Sequence, residues 1–146
     1  MSELVQSGAN VVGYVKNDKR YGMTCAWCMH VGYEELLLLI GGQSDTGKHL
    51  LPGDRIGISA LSDAQEDIAL HFGASHSDQR DKFEGIPFIS DGSALLIPDA
   101  RAQMICRVLD LGHVKGNEED LLVHVRILSS RADESKCFLV REHMKE

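Results

Sequence analysis

Residues 36–40 read LLLLI, and the run is broken at once by Gly41-Gly42-Gln43-Ser44-Asp45-Thr46-Gly47. No other juncture constrains the chain as much. Five aliphatic residues in a row suit a short strand buried on both faces, and they fall far short of a membrane span. The glycines then free the backbone, and the small polar side chains hydrogen-bond readily within a turn. Such a turn entering one turn of helix suits a phosphate or another anion. Just upstream, residues 23–31 mix Thr, Cys, Trp and Val and read as the neighbouring strand.

The rest of the chain repeats the strand theme. Residues 11–16 (VVGYVK) form a first strand, and the polar turn 17–20 leads into the Tyr21 strand as a hairpin. After a helical turn at 48–51, stopped by Pro52-Gly53, residues 55–61 (RIGISAL) are extended. The one clear helix is 63–72. Ser62 is its N-cap, Gln65 stands three residues on as in a capping box, Gly73 closes it, and Ala64, Ile68, Ala69 and Phe72 fall on one stripe. A polar loop, 74–87, follows and has the length of a binding loop. Strands return at 93–97, 102–111, 121–128 and 137–140.

Many strands, one main helix and no strand–helix alternation predict an all-β or α+β fold. The expectation is an antiparallel Greek-key barrel. At 146 residues, with 43% hydrophobic and 25% charged residues, the chain fits a single domain over 1–146. A net charge of −7 and the lack of any Lys/Arg block speak against a nucleic-acid partner. No segment suggests a membrane span or a signal peptide, so a cytoplasmic location is expected.

Cys25 and Cys28 form a C-x-x-C, a spacing used by zinc and redox sites. Alternation along one strand would point them to opposite faces, which favours buried free thiols over a redox or metal pair. Residues 42–49 nearly spell the phosphate loop of nucleoside triphosphatases. His49 stands where a Ser or Thr would hold magnesium, however, and Pro52 ends the helix that must follow. His71, His76 and His113 lie in different segments and form no ligand spacing. In Asp81-Lys82-Phe83 a cation adjoins an aromatic. The pair either closes over a planar anion or is a solvated Lys beside a Phe that anchors the loop.

Taken in order, Gly22-Met23-Thr24-x-x-Trp27, Gln43-Ser44-x-Thr46, the strand 55–61, His71-Phe72-Gly73, Asp81-Lys82-Phe83 and Ile105-Cys106-Arg107-Val108 resemble the flavin reductase-like family. The resemblance runs over roughly residues 11–128 and implies an FMN-binding split β-barrel. It implies that Ser44 and Thr46 hold the FMN phosphate, with Gln43 in the same turn. The ring would lie along Thr24, Cys25, Ala26 and Trp27, near Lys82 and Phe83, with Ser59 also among the expected cofactor contacts. It also implies a homodimer and NAD(P)H as electron donor. Three positions depart from the pattern: Tyr21 and Ser59 stand where members often carry Asn, and Glu118-Glu119-Asp120 replaces a Gly-Asp-His associated with nicotinamide-dependent turnover. The competing reading is a non-catalytic barrel that binds another planar anion or only a second copy.

Overall fold

The computed structural model describes residues 4–73 and 81–140. Within them run β1 (Asn10–Lys16), β2 (Lys19–Cys25), β3 (Trp27–His30), β4 (Glu35–Gly41), α1 (Asp45–Lys48), β5 (Arg55–Ala60), α2 (Glu66–Gly73), β6 (Ile89–Asp91), β7 (Ala94–Leu96), β8 (Ala102–Val114) and β9 (Asn117–Ala132). All pairings are antiparallel, in the order β3-β4-β9-β8-β5-β1-β7-β6, with β2 laid on β1. The sheet curls until β2 and β4 face one another without a ladder. That gap is the split of the barrel, and across it the Cys25 sulfur lies 3.5 Å from the Leu39 carbonyl.

Alternation sorts the side chains into two cores. On β1, Val12 and Tyr14 point inward with Leu36, Leu38, Ile40, Ile56, Ile58, Cys106, Val108, Val123 and Val125. Val11 points outward, where Phe72, Phe83, Leu95, Ile97 and Leu139 form a second core beneath α2. Gly13 and Gly22 are paired across β1 and β2. A Cβ on Gly22 would lie 2.6 Å from the Phe83 ring, and one on Gly13 would lie 2.8 Å from it. Only bare backbone at both positions lets that ring sit down on the sheet.

The antiparallel split barrel agrees with the sequence, and the differences lie at the edges. The expected strand 23–31 is two strands, because a bend at Ala26 separates β2 from β3. Helix α2 begins at Glu66, later than expected. Ser62 is buried and donates its backbone N–H to Gln65 Oε1 (3.0 Å), so only the Gln half of the capping box is used. Residues 137–140 make two isolated bridges, Ser62 with Phe138 and Gly8 with Val140, instead of a strand. Strands β8 and β9 outrun their apolar cores, since a ladder continues wherever backbone pairs remain. Of the expected loop 74–87, residues 74–80 lie outside the described residues, as does His76. No helix among the described residues is long and apolar enough to cross a membrane.

Candidate functional site

Ser44 is the N-cap of α1. Its hydroxyl donates to the Gly41 carbonyl (2.6 Å) and accepts from the Gly47 N–H (3.0 Å). Lys48 N–H donates to the Ser44 carbonyl (2.9 Å). The first helical turn therefore leaves the amides of Asp45 and Thr46 without an intrahelical acceptor, and these are the groups an oxyanion can take. The serine hydroxyl shapes the turn. Thr46 is 3% exposed, and its carbonyl accepts the Tyr14 hydroxyl (2.6 Å), so α1 is pinned to the barrel interior. Gln43 is exposed beside it. Beneath α1, Tyr14 stacks on Tyr21 (5.1 Å), and Tyr21 meets the His49 ring (4.9 Å).

The stretch Thr24–Trp27 falls at the junction of β2 and β3. Thr24 is half-buried and its hydroxyl donates to the Ala69 carbonyl (2.6 Å), tying β2 to α2. Ala26 is half-buried at the bend and Trp27 is exposed. Among the described residues β2 pairs only with β1, so its other backbone edge meets no strand there. Cys25 is buried, donates to the Trp27 carbonyl (3.1 Å), and offers a ligand nothing beyond its backbone.

Lys82 reaches the same neighbourhood from the loop. Its ammonium donates to the Phe72 carbonyl (3.0 Å), and His71 Nε2 donates back to the Lys82 carbonyl (2.7 Å). Burial pulls the Lys82 ammonium below the usual lysine range, while Asp45 of α1 opposes that shift. The Asp81 carboxylate takes the Arg20 guanidinium and caps the Phe83 N–H (3.0 Å), which fixes the turn. These contacts tie the elements together in a row. The loop is held to α2 through Lys82, α2 to β2 through Thr24, and β2 to α1 where Met23 meets Ser44 (3.6 Å).

Two expected contacts are corrected. Phe83 is 1% exposed and packs on Phe72 (4.8 Å) and Phe88 (5.4 Å), so it anchors the loop and has no free face for a ring. Ser59 is 0% exposed, and its hydroxyl accepts the Ile97 N–H (2.8 Å) inside the fold. His71, which holds Lys82 in place, stood in sequence only as part of the His71-Phe72-Gly73 helix end, with no sign of that contact.

The cysteines also differ from simple alternation. The bend at Ala26 resets the parity, so Cys25 and Cys28 both pack on the inner core, with Cys106. Burial pushes each of the three thiols up to about 12. All four cysteines are free, and Cys137 alone is exposed.

A family model described as flavin reductase like domain matches residues 1–141. Among solved structures, the NADH:FAD oxidoreductase SgcE6 of Streptomyces globisporus, in complex with NAD and FAD fragments, superposes with a TM-score of 0.81 at 20% identity, covering 93% of this chain and 81% of that one. The FMN-binding protein of Thermus thermophilus with bound 1-cyclohex-2-enone gives 0.78 at 17% identity, over 90% and 74%. Flavoredoxin from Methanosarcina acetivorans gives 0.78 at 12% identity, over 90% and 72%. No curated protein matches the chain. At such identities the structural likeness speaks for the fold, and the family model covers nearly the whole sequence. This chain belongs to the flavin reductase-like domain family.

Proposed function

We propose that the 146-residue chain is a single FMN-binding domain that acts as an NAD(P)H-dependent flavin reductase or passes electrons through its bound flavin. The reading rests on family membership and on one observation. The unpaired edge of β2 is tied to α1 through Met23 and Ser44, and to α2 through Thr24, and α2 in turn holds the Lys82 ammonium. That donor set fits a phosphorylated flavin: amides and a cation for the phosphate, a strand edge for the polar side of a flat ring. Asp45 and Thr46 would take phosphate oxygens through their backbone, with Ser44 fixing the turn. Lys82 would balance the charge, and Thr24, Ala26 and Trp27 would line the ring. When bound, the flavin supplies the electron-carrying chemistry and the protein supplies placement and charge.

A homodimer in the cytoplasm, drawing electrons from NAD(P)H, completes the proposal. The test is a fluorescence titration of FMN, FAD and riboflavin, followed by assays of NADH and NADPH oxidation. FMN is expected to bind more tightly than riboflavin. Lys82→Met is expected to cost FMN about tenfold and riboflavin little, as for the loss of one charge-assisted contact. Equal affinity for FMN and riboflavin would remove the phosphate site. Failure to bind any flavin would leave a barrel without catalysis.

A further inference from the structure

The inward row of β1 runs from one mouth of the barrel to the other as Asn10, Val12 and Tyr14. α1 seals the Tyr14 mouth. At the Asn10 mouth the register sets Asn10 opposite Ala60, and Ala60 opposite Ala102. The last rung therefore carries one short amide and two methyl groups, too little to fill the space. Cys28, Leu36 and Met104 complete the wall, and the stretches around Gly8 and Leu139 form the rim of a cavity of about 360 Å³. None of the residues assigned to the flavin lines it. Mouths of β-barrels are recurrent ligand sites, and roughly 300 Å³ is where small-molecule pockets begin.

We propose that this hollow mouth binds a small, uncharged, mostly apolar molecule carrying one hydrogen-bond donor. The walls supply apolar contact, and the polar atoms set the chemistry. Asn10 Nδ2 is committed to the Cys25 carbonyl (3.0 Å), which leaves Oδ1 as the amide's free end. At the rim, His30 Nδ1 donates to the Gly32 carbonyl (3.0 Å), which fixes that ring in place. Asn10 Oδ1 accepts, so it favours a hydroxyl or an N–H over a carboxylate, while Ser7 and Gln6 stand at the rim with groups that can donate or accept. The chain's net charge of −7 acts in the same direction. The site is thus opposite in character to the phosphate-holding face, and it does not depend on flavin binding.

The probes are phenol, toluene and benzoate, added to the full chain and followed by calorimetry and by the Asn10 side-chain amide and Met104 methyl NMR signals. Phenol is expected to bind roughly two- to tenfold more tightly than toluene, the worth of one net hydrogen bond. Benzoate is expected not to bind. Ala102→Leu should fill the rung and abolish phenol binding while FMN affinity stays unchanged, and Ala60→Leu serves if the first variant folds poorly. If neither variant folds, the wild-type signals decide. Shifts at Asn10 and Met104 support the site, and shifts confined to α1 overturn it. No phenol binding at ten millimolar (about the weakest useful affinity), preference for benzoate, equal binding of phenol and toluene, or displacement of phenol by FMN would each overturn it too.

Discussion

The two mouths of the barrel are built from the same strands with the same inward alternation, yet one is sealed and the other hollow. At the sealed end a tyrosine fills the last inward position, and its hydroxyl reaches the Thr46 carbonyl of α1. At the hollow end the equivalent rung carries Asn10, Ala60 and Ala102. Strand pairing fixes where side chains point. Their volume on the terminal rung decides whether an end closes or admits a guest.

The largest effect that tests this contrast is thiol chemistry. Cys28 lines the hollow mouth, yet burial raises it, like Cys25 and Cys106, to about 12. Against an ordinary thiol the thiolate fraction falls by about a thousandfold at neutral pH. A disulfide reagent should therefore titrate exposed Cys137 rapidly, half-buried Cys28 far more slowly, and buried Cys25 and Cys106 only on unfolding. Fast reaction of a second thiol would mean that burial does not suppress the thiolate of Cys28 at that mouth.

At the sealed end, Tyr14→Ala removes a fully buried ring and should cost about 3–5 kcal/mol in urea unfolding. Tyr14→Phe keeps the ring but leaves the Thr46 carbonyl without its donor, for about 1–3 kcal/mol. If Tyr14→Phe were neutral, α1 would not depend on the barrel interior for its position. Ser44→Ala deletes the N-cap and should cost about 1 kcal/mol, with FMN binding weakened through the shape of the turn. A loss of FMN affinity far beyond that figure would mean that the hydroxyl touches the phosphate itself.

The smallest effect is electrostatic and lies at the hollow end, where β4 begins. Glu35 accepts from His124 Nε2 (2.6 Å) and from Arg126 (3.5 Å), and these partners, His124 first, hold its carboxyl below the usual 4.5. A depressed carboxylate stabilises the fold fully above its unfolded value. That contribution is lost as pH falls through the lower folded value. Glu35→Gln should flatten the acid limb of the stability curve slightly and leave neutral stability nearly unchanged, because the pair is exposed to solvent. A steeper acid limb in the variant would contradict the pairing.

Much of this was legible in the sequence, element by element. The apolar run at 36–40 became β4 because five aliphatic residues between Glu34-Glu35 and Gly41-Gly42 have few other folds open to them. The resemblance carried in part by Thr24, Ser44 and Lys82 marked the family that the family model matches. Composition could not reveal the bend at Ala26, which moved Cys25 and Cys28 onto one core, since parity along a strand survives only while the strand does. Nor could a list of hydroxyls and aromatics separate Ser59 and Phe83, spent on packing, from groups that still face outward.

The sequence by itself determined the antiparallel β architecture, the family, and the glycine-broken turn, because alternation, turn residues and local spacing act between near neighbours. Only the tertiary structure decided that the Ser44 hydroxyl is a cap, that Lys82 is steered by His71 and Phe72, and that one mouth of the barrel stays open. Each of those outcomes depends on which side chains from distant strands meet on a single rung, and their volumes and hydrogen-bond partners are set only when the sheet curls.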